Sequence, residues 1–297
     1  MGRALVILCA AACAAVAAPQ ARAYGWPLRP FNQPHPVRGY FNDPRITSET
    51  GGGTSAAFHF GIDISAPDMT PVYAVAAGQA IVRGNTVRVR AKGREFSYWH
   101  IFPSVYTGQR VALHQEVGQI VPGYLHVHFA EKIGSEFVNP LRKGALAPYY
   151  DHTRPVVSGV SFDEEGRVEE PQQVTGVVDL LVTAYDVPPL APPDPWSVVR
   201  LSPALIRWRI VGPGFAYAPW QIAVDFRWSL LPQALFPLVY GPGTRQNRAN
   251  RPGNYVYYLW HAWDSTSLAD GTYTVEVAAS DTRGNTGTLS VPFTVAN

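Results

Sequence analysis

The sequence predicts an all-β protein built from two successive units. Three observations carry that expectation: 27 prolines and 26 glycines punctuate the chain, the runs between them are short and β-prone, and helical periodicity is absent beyond the N-terminal segment. Within runs such as Pro71-Val-Tyr-Ala-Val75, Thr86-Val-Arg-Val-Arg90 and Thr272-Tyr-Thr-Val-Glu-Val-Ala278, apolar and polar residues alternate as they do on half-buried strands.

The chain opens differently. Arg3 precedes an apolar run from Ala4 to Ala18, and Ala21-Arg22-Ala23 places small residues around a cleavage position. The run falls short of the ~20 apolar residues a membrane helix needs. Residues 1–23 therefore read as a cleaved export signal, with the mature chain starting near Tyr24 in the bacterial periplasm or outside the cell. Both cysteines, Cys9 and Cys13, fall inside that segment, so the mature chain must rely on its core rather than on disulfides. Lipidation at Cys13 is the weaker alternative, because Ala10 stands where a branched apolar residue is usual. No second apolar run reaches spanning length. A net charge of +2, without a basic block, argues against nucleic acid as partner.

A boundary is expected between Ala147 and Pro155, dividing the mature chain into units 24–150 and 151–297. In the second, Val177–Ala184, Leu205–Ile210, Thr272–Ala279 and Thr288–Val295 read as strands, with a turn at Asp281-Thr-Arg-Gly-Asn285. Short, evenly spaced strands with such turns predict a β-sandwich, and the ending resembles immunoglobulin-like and fibronectin-like modules. Val187–Pro195, with five prolines among nine residues, reads as a rigid inserted loop.

The chemistry gathers in the first unit, where three segments carry four of the eight histidines. In Phe58-His-Phe-Gly-Ile-Asp-Ile64, strand period puts His59, Gly61 and Asp63 on one face and Phe60, Ile62 and Ile64 on the other. Gly61 leaves room for a close approach to the strand. In Leu125-His-Val-His-Phe129, both His126 and His128 project away from an apolar face of Leu125, Val127 and Phe129. In Ser97-Tyr-Trp-His-Ile101, the same period pairs Tyr98 with His100 and Trp99 with Ile101. Imidazole and carboxylate donors without thiolates suit a catalytic zinc, which keeps a position open for water. Spacing alone leaves open which of the five polar residues are ligands and which serve as base or oxyanion donor.

These segments resemble the LytM and lysostaphin-type family of zinc endopeptidases. The likeness rests on His59-Phe-Gly-Ile-Asp63, Tyr98-Trp-His100 and His126-Val-His128, with Gly108-Gln-Arg-Val111, Val117-Gly-Gln-Ile120, Val138-Asn-Pro140 and the upstream Tyr40-Phe-Asn-Asp-Pro-Arg45 in support. It covers most of residues 38–141. The resemblance implies an antiparallel β-sheet peptidase domain with Zn²⁺ held by His59, Asp63 and His128, His126 as general base and His100 as the second catalytic histidine. It implies hydrolysis of the peptide cross-links of peptidoglycan. Pro122-Gly-Tyr124 stands where the family has a Gly/Ser/Thr-rich loop, and Gly78 to His100 is short, so the groove walls are expected to be trimmed. The alternatives are a non-catalytic regulator of other wall hydrolases and a zinc peptidase acting on extracellular proteins.

Other features read as structural. Gly51-Gly-Gly-Thr-Ser55 lacks the Lys-Ser/Thr and helix of a phosphate loop. His35, His114, His152 and His261 lie outside the constellation, and Trp260 to Trp263 read as core rather than as a carbohydrate-binding face.

Overall fold

The protein is described by a computed structural model covering residues 23–48, 54–164, 167–168, 173–212, 215–216 and 220–297. Residues 1–22, which hold both cysteines and all but the last residue of the expected export signal, and Gly51–Gly53 lie outside the described residues. The architecture is all-β, with antiparallel pairing almost throughout. Among the described residues, no helix is long and apolar enough to cross a membrane.

The first unit is organised around the strand His126–Ile133. It lies between Ile62–Ser65 and Arg94–Trp99 in an eight-stranded sheet. Register places Val127 opposite Ile64, and Phe129 opposite both Ile62 and Tyr98. Because side chains alternate, all of these residues share the core face, and each is fully buried. A three-stranded sheet of Pro71–Tyr73, Glu116–Ile120 and Ile101–Pro103 contributes Val72, Val117, Ile120 and Ile101 to the same core. At the far end of the central strand Glu131 is wholly buried, accepting from Tyr24 Oη at 2.7 Å, from Arg142 Nη1 and Nη2 at 2.7 and 2.9 Å, and from Arg94.

In the second unit, a four-stranded sheet with Val156–Glu164, Val177–Tyr185 and Val256–Asp264 shares one core with a six-stranded sheet. The latter includes Leu205–Gly212, Gly271–Ser280 and Thr286–Val295. Ile206, Trp208 and Ile210 alternate inward to meet Leu180, Tyr257 and Phe293. Trp263 is also part of this core at 1% exposure. Residues 149–155 carry no regular structure, as a link would.

The two cores exchange residues. Phe58 from the first unit is buried in the second core, while Val199 and Leu201, just beyond the proline-rich loop, are buried in the first. The segment Asn42–Asp43 is held in the same way. Tyr240 Oη donates to Asn42 O at 2.7 Å, and Ser202 N donates to Asp43 Oδ1 at 2.8 Å. The second unit thereby fixes the chain that leads to Arg45.

Candidate metal centre

Cross-strand register brings the site together. His128 lies opposite Asp63 on one side and Trp99 on the other, so the polar face of three adjacent strands converges at one place. Ligand atoms of His59, Asp63 and His128 all lie within 4.8 Å of one another. His59 Nε2 is 2.7 Å from His128 Nδ1, and Asp63 Oδ1 is 3.2 Å from each of those nitrogens. His126 Nε2 is 3.4 Å from the same Asp63 oxygen. The His100 ring centroid is 4.9 Å from that of His126 and 6.4 Å from that of His128. All five polar residues singled out in the sequence meet here.

The route by which two of the segments arrive differs from strict strand alternation. Phe58 ends one strand and Ile62 begins the next, so residues 59–61 form a break rather than a continuous strand. Phe60 consequently does not enter the core; its ring packs edge-on to His128 at 4.5 Å and against Trp99 and Phe137. In the middle segment the expected faces are reversed. Tyr98 is fully buried in the core, its hydroxyl accepting from Val75 N at 2.8 Å, whereas Trp99 faces His128. His100 still reaches the site because its backbone is left-handed (φ 64°), which re-aims one residue out of the alternation. Leu125 also departs from the core face. It is only half-buried, with φ 55°, and it precedes the strand proper.

Gly61 is where the close approach occurs. A Cβ there would stand 2.4 Å from Phe129 O and 2.8 Å from His128 Nε2, so the central strand and its histidine occupy the space a side chain would need. On the other flank Gly39 leaves room for the Arg45–Asp63 pair, since a Cβ would fall 2.6 Å from Arg45 Nη2.

The surrounding polar groups set the state of each donor. His59 Nδ1 is 2.7 Å from Tyr40 O, and donation of its N–H there leaves the Nε2 lone pair facing Asp63 and His128. Burial pushes the Asp63 carboxyl up. Arg45, whose Nη2 donates to Asp63 Oδ2 at 2.5 Å, outweighs burial together with His59 and His126 and holds the carboxyl well below its usual range. His59 is lowered by burial first and then by Arg45, and burial pushes His128 down to about 4. Burial, then His126 and His128, push His100 down to about 4. Neutral imidazoles beside an ionised carboxylate are the protonation states a metal requires.

A tetrahedral zinc with bonds near 2.0–2.1 Å separates its ligand atoms by roughly 3.3 Å. The contacts of 2.7, 3.2 and 3.2 Å approach that spacing without rearrangement of the strands. The N₂O donor set fits zinc.

Two arginines at the site were not singled out in the sequence. Arg45 was visible only as the end of the upstream segment. Arg38 is buried, with Nη2 donating to Tyr124 O at 2.8 Å and lying 2.6 Å from His126 Nδ1. Its guanidinium lies 4.1 Å from the ring centroid of Trp196, just past the proline-rich loop of the second unit. Tyr124 stacks on His100 at 4.1 Å, and its turn is tied down by Asp68, which accepts from Gly123 N and Leu125 N at 2.7 and 2.9 Å.

Fold and site together define an all-β chain with a buried His/Asp cluster that could hold a metal ion. No protein-family model and no curated protein matches the chain. The solved structures that match it include M23- and lysostaphin-type peptidases. One is a zinc-containing peptidase from Vibrio cholerae, at 26% identity over 40% of this chain and 39% of that one, with a TM-score of 0.32. Another is the catalytic domain of lysostaphin from Staphylococcus simulans, at 25% identity over 33% of this chain and 80% of that one, with a TM-score of 0.27. The catalytic domain of the prophage-encoded M23 protein EnpA from Enterococcus faecalis is 28% identical over 34% of this chain and 92% of that one, with a TM-score of 0.26. The chain spans 39% and 34% of the length of the first two structures it matches. With overlaps this partial, the chemistry of the site rests on the residues described above.

Proposed function

We propose that this chain is an exported zinc endopeptidase that hydrolyses peptide cross-links of bacterial peptidoglycan. In this reading residues 24–150 form the catalytic unit and residues 151–297 an immunoglobulin-like accessory unit. The observation that carries it is the convergence of His59, Asp63 and His128 within 4.8 Å, with His126 and His100 beside them. Zinc, when bound by His59, Asp63 and His128, supplies a Lewis acid and lowers the pKa of water toward neutrality.

The remaining steps belong to the side chains. His126 is the general base. With its Nδ1–H donated to Tyr124 O at 2.7 Å, Nε2 is left bare toward Asp63 and accepts the proton of the attacking water. His126 then passes that proton on to the leaving amine as the peptide bond breaks. His100, stacked on Tyr124, donates to the oxyanion that develops on the scissile carbonyl. Phe60, backed by Phe137, and Trp99 cover the flank of His128 and exclude water from it.

The experiment is digestion of purified peptidoglycan by the wild type and by His126→Ala, with release of new amino termini as readout. The proposal expects release by the wild type, and in the variant loss by a factor of roughly 10²–10⁴ with zinc still bound. Equal release by both proteins would remove His126 from the reaction.

A further inference from the structure

Outside the histidine cluster, three aspartates meet where the two units join. Asp151 lies in the link, Asp186 follows the strand Val177–Tyr185, and Asp281 follows the strand Gly271–Ser280. They are 4%, 1% and 4% exposed, and one oxygen from each lies within 4.8 Å of the other two. Three carboxylates buried together repel and are poorly solvated unless something supplies positive charge.

Hydrogen bonds account for two of them. Asp281 Oδ1 accepts from the backbone N–H groups of Arg283, Gly284 and Asn285 at 2.8, 2.6 and 2.9 Å, and Oδ2 accepts from Asn285 Nδ2 at 2.6 Å. Asp151 Oδ1 accepts from Thr153 N and Oγ1 at 2.9 and 2.6 Å, and Oδ2 accepts from Tyr149 Oη at 3.1 Å. Asp186 is different: Oδ1 accepts from Val187 N at 2.9 Å, but Oδ2 is buried with no hydrogen-bond partner. Arg283 lies close enough to feel the charges of Asp281 and Asp151, but it forms no ion pair with them: its guanidinium donates to Tyr149 O at 3.2 Å and Leu141 O at 2.9 Å. Burial, and then the charge of Asp151, push the Asp186 carboxyl well above its usual range.

We propose that Asp151, Asp186 and Asp281 bind a hard divalent cation, Ca²⁺, at the junction of the two units. The donor set is all oxygen, which suits Ca²⁺ and not zinc, and the orphaned Asp186 Oδ2 is the ligand atom left waiting. The further oxygens that Ca²⁺ takes would come from water or backbone carbonyls. Asp186 continues a strand of the four-stranded sheet and Asp281 one of the six-stranded sheet, so the cation ties both sheets to the link that carries Asp151. This site is independent of the zinc reading.

The test is calorimetric titration of the chelator-stripped protein with CaCl₂, alongside thermal unfolding with and without the ion. The expected result is one Ca²⁺ per chain and a Tm raised by about 5 °C at saturation. Asp186→Asn, which keeps the shape and removes a charge, should lose both the binding and the Ca²⁺-dependent Tm shift while unfolding at a higher temperature than the wild type in Ca²⁺-free buffer. Asp63→Ala should still bind Ca²⁺, which separates this site from the histidine cluster. If Asp186→Asn fails to fold, Asp281→Asn takes its place. Absence of binding by the wild type up to about 10 mM Ca²⁺ would overturn the proposal, leaving a protonated Asp186 as the whole explanation. Binding retained in the Asp186→Asn protein would overturn it as well.

Discussion

Replacing Gly61 by alanine tests how the site is held open. The added Cβ would lie 2.4 Å from Phe129 O and 2.8 Å from His128 Nε2. Both atoms belong to the central strand, so relief requires that strand and Ile62–Ser65 to separate locally by roughly 0.6–1 Å, the shortfall from ordinary contact. Overpacking of this kind costs about 1–3 kcal/mol, which in a chain of this size lowers Tm by about 3–10 °C. The same displacement pushes His128 away from its 3.2 Å contact with Asp63, and a metal site tolerates errors of only ~0.2 Å. The Gly61→Ala protein should therefore bind zinc at least tenfold more weakly, measured by competition with a chromophoric chelator, and should unfold earlier in a thermal melt. Wild-type Tm together with wild-type zinc affinity in the Gly61→Ala protein would refute the close-approach reasoning.

Other substitutions separate the roles of the neighbouring side chains. Arg45→Met strips the ion partner from the buried Asp63 carboxylate, and zinc affinity should fall by roughly 10–100-fold, read by the same competition assay. The accompanying loss of stability should be only about 1–2 kcal/mol, because the arginine side chain is a third exposed. Glu131→Gln leaves Arg94 and Arg142 around an uncharged buried group; a loss of about 3–5 kcal/mol, seen as a lower denaturation midpoint with zinc binding intact, is expected. Trp196→Ala removes the ring over Arg38 and should cost about 1–2 kcal/mol in a denaturant titration.

The readable part of the site was the part that obeys a period. His126 and His128 share a strand face flanked by Val127 and Phe129, and that alternation survives folding unchanged. The failures lie where the backbone leaves the period. A left-handed His100 exchanges the expected places of Tyr98 and Trp99, and the break at residues 59–61 turns Phe60 toward His128. Arg38 and Arg45 act through contacts that only the tertiary fold creates, since their partners lie up to 88 residues away. The exchange of Phe58 against Val199 and Leu201 between the cores follows from docking of one unit on the other, to which strand patterning within either unit is blind. The aspartate cluster is hidden for the same reason, its members being scattered over link, strand end and turn.

The most direct measurement of the central claim is zinc content by elemental analysis of the wild type and Asp63→Ala, with a peptidoglycan digest of each. The account predicts one zinc per chain and released cross-link peptides for the wild type, with both lost in the variant. A wild-type protein that carries no zinc when purified in its presence, or a variant that still cuts, would contradict it.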